Sequence, residues 1–368
     1  MEEKIRRIVE WSKGTPQGPI SIHLDTTNRC NQKCRFCWQR SHKRSGLVNI
    51  KNELSEKKLL QIVREAAGLG VKEWLISGGG EPLVRTDTTV AVMKEIKKHS
   101  MLGDMITNGT IMDDNHIADI VESGWDIIRF SINATTANEH DFLVDLEGAF
   151  DKVIANIKKI NEMKRESGNN KPEIGFNTVI NSKNYSQFPE IIELLHKLGG
   201  TLINVQTVIL YSEEEKKWTL DDAQQKQLQT FIKSAVKKAE KYKIKNNLES
   251  YLEENIVKKS NEMGKMNELV NGEIEKGKDK NNFLGAFCYE PWYLVTIRAD
   301  GTVGSCRLFG DNGDNIHNKT LKEIWYGEYF KNARKTLLTG GASFCSKCGA
   351  NEFLENRRIR SELAANLM

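Results

Sequence analysis

Residues 20–37 read Ile20-Ser-Ile-His-Leu-Asp-Thr26, then Thr27-Asn-Arg29, then Cys30-Asn-Gln-Lys-Cys34-Arg-Phe-Cys37. A short apolar run that stops just before a cysteine cluster predicts a strand that delivers the cluster at its carboxyl end. The cysteine spacing is C-x3-C-x2-C. Three thiolates this close can hold three irons of a [4Fe–4S] cube, and protein clusters ordinarily take four cysteines. A three-cysteine set leaves one iron open, as a catalytic zinc keeps an open position. An open iron is wasted in simple electron transfer and necessary where the cluster must bind a substrate or cofactor. The competing readings are a partial zinc site and chance clustering, but three cysteines in eight residues have little packing use.

Downstream, short apolar runs alternate with helical patterns as far as about residue 210. Leu54 to Leu69 carries Leu59, Leu60, Val63, Ala66 and Ala67 at helical spacing, with Ser55 or Asn52 as its cap. Strands are expected at Lys72–Ser77, Asp104–Thr107, Ile127–Ile132, Ile174–Ile180 and Leu202–Val208. Helices are expected at Asp87–Lys98, Asp113–Ser123, Glu147–Glu166 and Tyr185–Leu198. Six such βα repeats imply parallel strands joined by crossover helices, in a doubly wound sheet or a barrel. Cys30, Gly79, Asn108, Asn133 and Asn181 each follow a strand end, where chemistry sits in βα architectures.

Residues 211–286 are rich in Lys and Glu, with Leu228, Phe231, Ile232, Ala235, Val236 and Ala239 at helical spacing. This reads as a helical, charged connector or insertion, with a loop near 272–282. Strand signals return at Trp292–Arg298 and Thr302–Cys306, joined by Asp300-Gly301 as a hairpin turn. Leu321 to Thr339 is expected to be helical, with Ile324, Trp325, Tyr329 and Phe330 on its buried side. The remaining cysteines fall here, as Cys288-x17-Cys306-x38-Cys345-x2-Cys348, about 250 residues beyond the first group. Four cysteines complete one cube or one tetrahedral zinc, and spacing alone does not separate the two.

Composition bounds the rest. The chain has 368 residues, 39% hydrophobic and 28% charged, with 54 basic and 50 acidic residues for a net charge of +4. The length suggests about two domains at roughly 150 residues each. The charge is too small to argue for nucleic acid or a membrane surface. No apolar run approaches the roughly 20 residues needed to span a bilayer, and Met1 to Gly14 lacks the apolar segment of a secretory signal. An odd cysteine count in two clusters argues against a disulfide framework. A cytoplasmic globular enzyme is expected.

The Cys30–Cys37 segment after the first strand of a βα array resembles the radical S-adenosylmethionine (radical SAM) superfamily. The resemblance implies that Cys30, Cys34 and Cys37 hold a [4Fe–4S] cluster whose open iron binds SAM, with Phe36 beside the adenine. Ser77-Gly78-Gly79-Gly80-Glu81-Pro82 is similar to the family's glycine-glycine-glutamate element, which implies that Gly79, Gly80 and Glu81 contact the SAM amino group. Physically, a glycine run lets backbone approach a small zwitterion closely, and Glu81 can accept from an ammonium. Ser131 and Asn133, and either Asn177 or Asn181, stand where relatives contact SAM. Cys288-x12-Gly301-x4-Cys306 followed by Cys345-x2-Cys348 resembles auxiliary-cluster domains of the SPASM and Twitch type. That resemblance favours one auxiliary [4Fe–4S] cluster on Cys288, Cys306, Cys345 and Cys348 over zinc.

The implied fold is α/β, a partial (β/α)6 TIM-like barrel with a C-terminal α+β auxiliary-cluster domain. The expected division is 1–210, 211–286 and 287–368. The implied chemistry is reductive SAM cleavage to a 5′-deoxyadenosyl radical that takes a hydrogen atom from substrate. With all seven cysteines assigned to clusters, no cysteine is left as a hydrogen donor; Tyr289 and Tyr293 remain as conceivable ones. Net oxidation of a sugar or cyclitol is the main expectation, because only 29 residues precede Cys30 and the 211–286 stretch lacks the pattern of a peptide-recognition module. The alternative is modification or cross-linking of a ribosomally made peptide. From another class, an iron–sulfur electron carrier is opposed by the three-cysteine set, the glycine run and Glu81. A flavodoxin- or ferredoxin-type electron donor is implied. Arg129, His140 and Arg307 are substrate-contact candidates by sequence proximity alone.

Overall fold

A computed structural model of the chain describes residues 2–40, 50–210, 213–252, 283–306, 313–339, 341, 345 and 350–367. Strands β1 (Ser21–Leu24), β2 (Glu73–Ile76), β3 (Leu102–Thr107), β4 (Ile127–Phe130), β5 (Glu173–Ile180) and β6 (Leu202–Thr207) occupy the six expected positions. Each pairs in parallel with the next, from Ser21↔Glu73 through Gly175↔Leu202. Parallel neighbours need crossovers, which the helices between them provide. Ser55 is the cap of the first crossover helix, Glu56–Gly68, accepting from the Lys58 N–H at 3.3 Å, so Ser55 and not Asn52 fills that role. Asp113 caps Asp114–Glu122 in the same way.

The strands bury one face. Ile22, Leu24, Trp74, Ile76, Met105, Ile128, Phe130, Phe176, Ile203 and Val205 point outward into a core shared with the helices. Burying each large apolar side chain contributes about 1.5–3 kcal/mol. The alternate positions point to the inner side, where polar Glu73, Asp104, Arg129, Asn177 and Asn204 stand among apolar Leu75, Leu102, Ile106 and Val179.

The sheet is larger than six strands. After the helix Asp222–Tyr242, which begins with a capping box between Asp221 and Gln224, the chain adds a short parallel strand β7 (Lys245–Asn246) beside β6. The charged stretch from 211 is therefore not helix alone. Residues 253–282, which include the loop expected near 272–282, lie outside the described residues. The expected hairpin forms as β8 (Leu294–Ile297) and β9 (Thr302–Gly304), antiparallel, with β10 (Asp314–Asn315) beside β9. It does not stand apart, because β8 pairs in parallel with β1 from Ser21↔Leu294 to Leu24↔Ile297. The order is β10-β9-β8-β1-β2-β3-β4-β5-β6-β7.

The stretch Leu321–Thr339 is two helices, Leu321–Trp325 and Glu328–Leu338. Gly327 separates them in an extended conformation, where a Cβ would stand 2.5 Å from the Glu323 carbonyl oxygen. Ile324, Trp325 and Phe330 are buried as their spacing implies. The helices Glu3–Ser12 and Ala350–Leu367 are tied by Lys4–Glu355 at 3.0 Å and Arg358–Glu2 at 2.8 Å.

Candidate active site

A cavity of about 1380 Å³ opens on the inner side of the sheet. Cys30, Cys34 and Cys37 line it together with Gly78, Gly79 and Gly80. Cys288, Cys306 and Cys345 line the same cavity. The two cysteine groups thus share one chamber, because the β8–β1 pairing carries the hairpin against the strand that leads to Cys30. Cys348 and Arg307 lie outside the described residues.

The glycine run is pressed against the chain that leads to the cysteines. Gly78 has φ +106°, and a Cβ there would stand 1.4 Å from Asp25 Oδ1. At Gly80 a Cβ would stand 2.0 Å from the Arg29 carbonyl oxygen. Backbone bonds lock the same contact, from Gly80 N–H to Thr27 O at 2.8 Å and from Glu81 N–H to Arg29 O at 2.8 Å. Only glycine permits this approach.

Glu81 is buried, and its carboxylate is largely occupied. Oε1 accepts from the Leu83 N–H at 3.0 Å and the Thr107 hydroxyl at 2.6 Å, while Oε2 accepts from the Asn108 N–H at 2.6 Å. Burial raises its pKa, and these three bonds pull the other way. Two carboxylate oxygens offer about four lone-pair sites, so one remains for a ligand. Glu81 is first a brace that ties the glycine loop to the end of β3.

Asp25 was not singled out by the sequence, although it directly follows the β1 alternation. It lines the cavity, and burial pushes its carboxyl up to about 7, against the pull of Arg298 and of the Gly79 N–H. Arg298 follows β8, so Asp25 lies between the glycine loop and the hairpin.

Phe36 packs with Ala134, Leu143, Val208 and Trp218, presenting an apolar wall beside Cys34. Ser131, Asn133 and Asn177 line the cavity. Asn133 Oδ1 accepts from the Val179 N–H at 3.0 Å, which fixes the end of β4 against β5. Asn181 is buried outside the cavity lining and bonds within its own turn, accepting from the Lys183 N–H at 2.9 Å. His140 is likewise buried away from the lining; it accepts from the Asn133 N–H at 3.3 Å, and burial drops its pKa to about 4. Tyr289 is core, with its hydroxyl donating to the Phe283 carbonyl at 3.0 Å, whereas Tyr293 lines the cavity. Arg129 does line it, as do Glu73, Asp104 and Gln39, which sequence reasoning missed. The signal for Glu73 and Asp104 was available: both are charged residues at inward positions of strands.

The donor set suits an iron–sulfur cube with an open iron. Among the described residues no three Cys, His, Asp or Glu side chains converge as a single-ion site. A cube asks for no such convergence, since each thiolate meets a different iron. Beside the three cysteines, Gln39 Nε2 is buried without a hydrogen-bond partner and the glycine loop exposes backbone to the chamber. Both features suit a polar, zwitterionic cofactor.

Comparison with known proteins agrees. A radical SAM superfamily model matches residues 24–195, and an iron–sulfur cluster-binding domain model, SPASM, matches residues 288–349. The chain is 27% identical over 196 residues to the tungsten-containing aldehyde ferredoxin oxidoreductase cofactor-modifying protein of Pyrococcus furiosus, covering 53% of each chain. It is 27% identical over 198 residues to the PqqA peptide cyclase of Granulibacter bethesdensis, covering 54% of this chain and 49% of that one. These matches span about half the length of the relatives. Among solved structures, Streptococcus suis SuiB bound to S-adenosylmethionine superposes with TM-score 0.66 at 16% identity, over 92% of this chain and 72% of that one. Native anSMEcpe with bound AdoMet superposes with TM-score 0.61 at 16% identity, over 95% and 97%. The two matched domains imply SAM and two [4Fe–4S] clusters. The chain is a radical SAM superfamily protein with a C-terminal cluster-binding domain of the SPASM type.

Proposed function

We propose that the protein is a radical SAM enzyme that modifies a peptide or protein substrate. In this reading Cys30, Cys34 and Cys37 hold the SAM-binding cluster, and Cys288, Cys306, Cys345 and Cys348 hold the auxiliary one. The observation that carries it is the single chamber. Residues of both cysteine groups face it, and its volume of about 1380 Å³ is what SAM, the two clusters and part of a substrate would share. The relatives support the same direction: one is named as a PqqA peptide cyclase, and SuiB has been solved with its precursor peptide SuiA. This reading takes the place of sugar or cyclitol oxidation.

When bound, the cluster and SAM supply hydrogen-atom abstraction from a substrate C–H bond. The chain's own residues do the rest. Gly79 and Gly80 bring backbone close to where the amino group of SAM would lie, and Glu81 holds that loop in place. Phe36, with Val208 and Trp218 behind it, keeps water from one wall. Ser131 and Asn133 offer polar contacts from the end of β4. Net oxidation of the substrate, with an external one-electron donor for the SAM cluster, belongs to this proposal.

The test uses protein purified and reconstituted without oxygen. About eight irons per chain are expected for two cubes. With dithionite and SAM, synthetic peptides of mixed sequence should give 5′-deoxyadenosine together with products two mass units lighter, and Cys34→Ala should abolish both. Deoxyadenosine coupled to oxidation of cyclitols or sugars, with peptides unchanged, would overturn the peptide reading.

A further inference from the structure

The chamber continues past the glycine loop along the inner side of the sheet. Alternate strand positions place Glu73, Asp104, Arg129, Asn177 and Asn204 on its lining, one from each of β2 to β6. In a closed eight-stranded barrel such positions are filled by packed Val, Ile and Leu. Here they are polar and border open space, which costs burial energy without filling a core.

Their partners are uneven. Arg129 donates from Nη2 to Asp104, and its Nε is buried with no hydrogen-bond partner. Asn204 donates to Asn177 Oδ1 at 2.9 Å. Glu73 accepts from the Ser21 hydroxyl, and among the described residues no basic side chain forms an ion pair with it. The same lining holds Lys4, which pairs with Glu355 at 3.0 Å; with Asp104 paired to Arg129, the Glu73 carboxylate is left without an ion-pair partner among the described residues. A partly buried carboxylate without a cationic partner favours an arriving cation and disfavours an anion.

We propose that this end of the chamber is a receptor for a cationic group of the substrate, an ammonium or guanidinium, with Glu73 as its acceptor. The Asp104–Arg129 pair flanks it as a neutral unit that offers further hydrogen bonds. Glu73 lies four residues before Ser77, about 13 Å below the strand end at about 3.3 Å per residue. A cation held there anchors one part of the substrate while the rest extends back to the level of the cysteines. The proposal rests on the peptide reading for its source of the cation, a lysine or arginine side chain.

The test is calorimetric binding to the anaerobically reconstituted protein, with SAM present, of Nα-acetyl-lysine methylamide, its norleucine and glutamate counterparts, and n-butylamine. The lysine probe should bind at least about tenfold tighter than the norleucine probe, the size of one charge-assisted bond. Glu73→Gln should erase that preference while keeping the thermal midpoint and SAM affinity of the parent. Equal affinities, tighter binding of the glutamate probe, or a preference that survives Glu73→Gln would each overturn the proposal. The two readings fail separately. Glu73-dependent binding of n-butylamine with no peptide modified keeps the receptor and removes the peptide reading. Peptide modification indifferent to lysine and arginine does the reverse.

Discussion

Replacing Glu81 by Gln separates a brace from a ligand. The carboxylate accepts three bonds, two from backbone N–H groups of Leu83 and Asn108 that cannot turn away and one from the Thr107 hydroxyl, which can. Glutamine has one oxygen and one NH2. With the NH2 toward Asn108, that N–H loses its acceptor; with the NH2 toward Leu83, that one does. Either orientation leaves a buried backbone donor unsatisfied, at a cost of about 1–3 kcal/mol. Relief of the buried charge works in the opposite direction, since burial raises the Glu81 pKa in spite of these bonds, so the net loss should lie toward the lower end of that range. Urea unfolding under argon should show a lower midpoint at unchanged slope. SAM affinity should fall with it, because the glycine loop is tied to β3 through this carboxylate. Stability within about 0.5 kcal/mol of the parent, together with a tenfold or larger loss of SAM affinity, would refute the bracing argument and make Glu81 a SAM ligand alone.

Three other outcomes follow from the same geometry. Gly78→Ala should lose SAM binding and about 2–4 kcal/mol of stability, since it combines a left-handed backbone with a Cβ driven into Asp25; binding retained by calorimetry would contradict the tight contact. The Asp25 carboxyl is raised to about 7 from an ordinary value near 4. The folded state then holds a proton that the unfolded state has lost, so this contribution should be full below about pH 4, be lost as pH rises through about 7, and level off above that. Its upper bound is about 4 kcal/mol, less whatever cavity water screens. Asp25→Asn should flatten that decline in denaturation curves taken from pH 4 to 8, and equal slopes would refute the assignment. Cys306→Ala should lower reconstituted iron from about eight to about four per chain while Cys34→Ala abolishes deoxyadenosine formation; a zinc at the second group would show instead as one zinc and about four irons in the parent.

Much of the fold was legible because its signals are local. Strand alternation, the Ser55 cap and the Asp-Gly turn depend on residues within one or two turns of each other, and all six parallel strands stand within two residues of their expected places. The break at Gly327 was missed because apolar spacing runs across it unchanged, while the clash with the Glu323 carbonyl exists only in three dimensions. Strand β7 was missed because two polar residues on a sheet edge carry no periodicity at all.

The site divides along the same line. Covalent spacing by itself pointed to the open-iron chemistry, since C-x3-C-x2-C keeps three cysteines within eight residues. It also determined the parallel array that puts strand ends on one side. What only the tertiary structure decided is that residues some 250 positions apart face one chamber. That depends on β8 hydrogen-bonding to β1, a pairing between strands with no local preference for each other. The same holds for Asp25, Glu73 and Arg129. In the sequence they are ordinary charged residues near strands, and what the tertiary structure adds is that all three line one chamber.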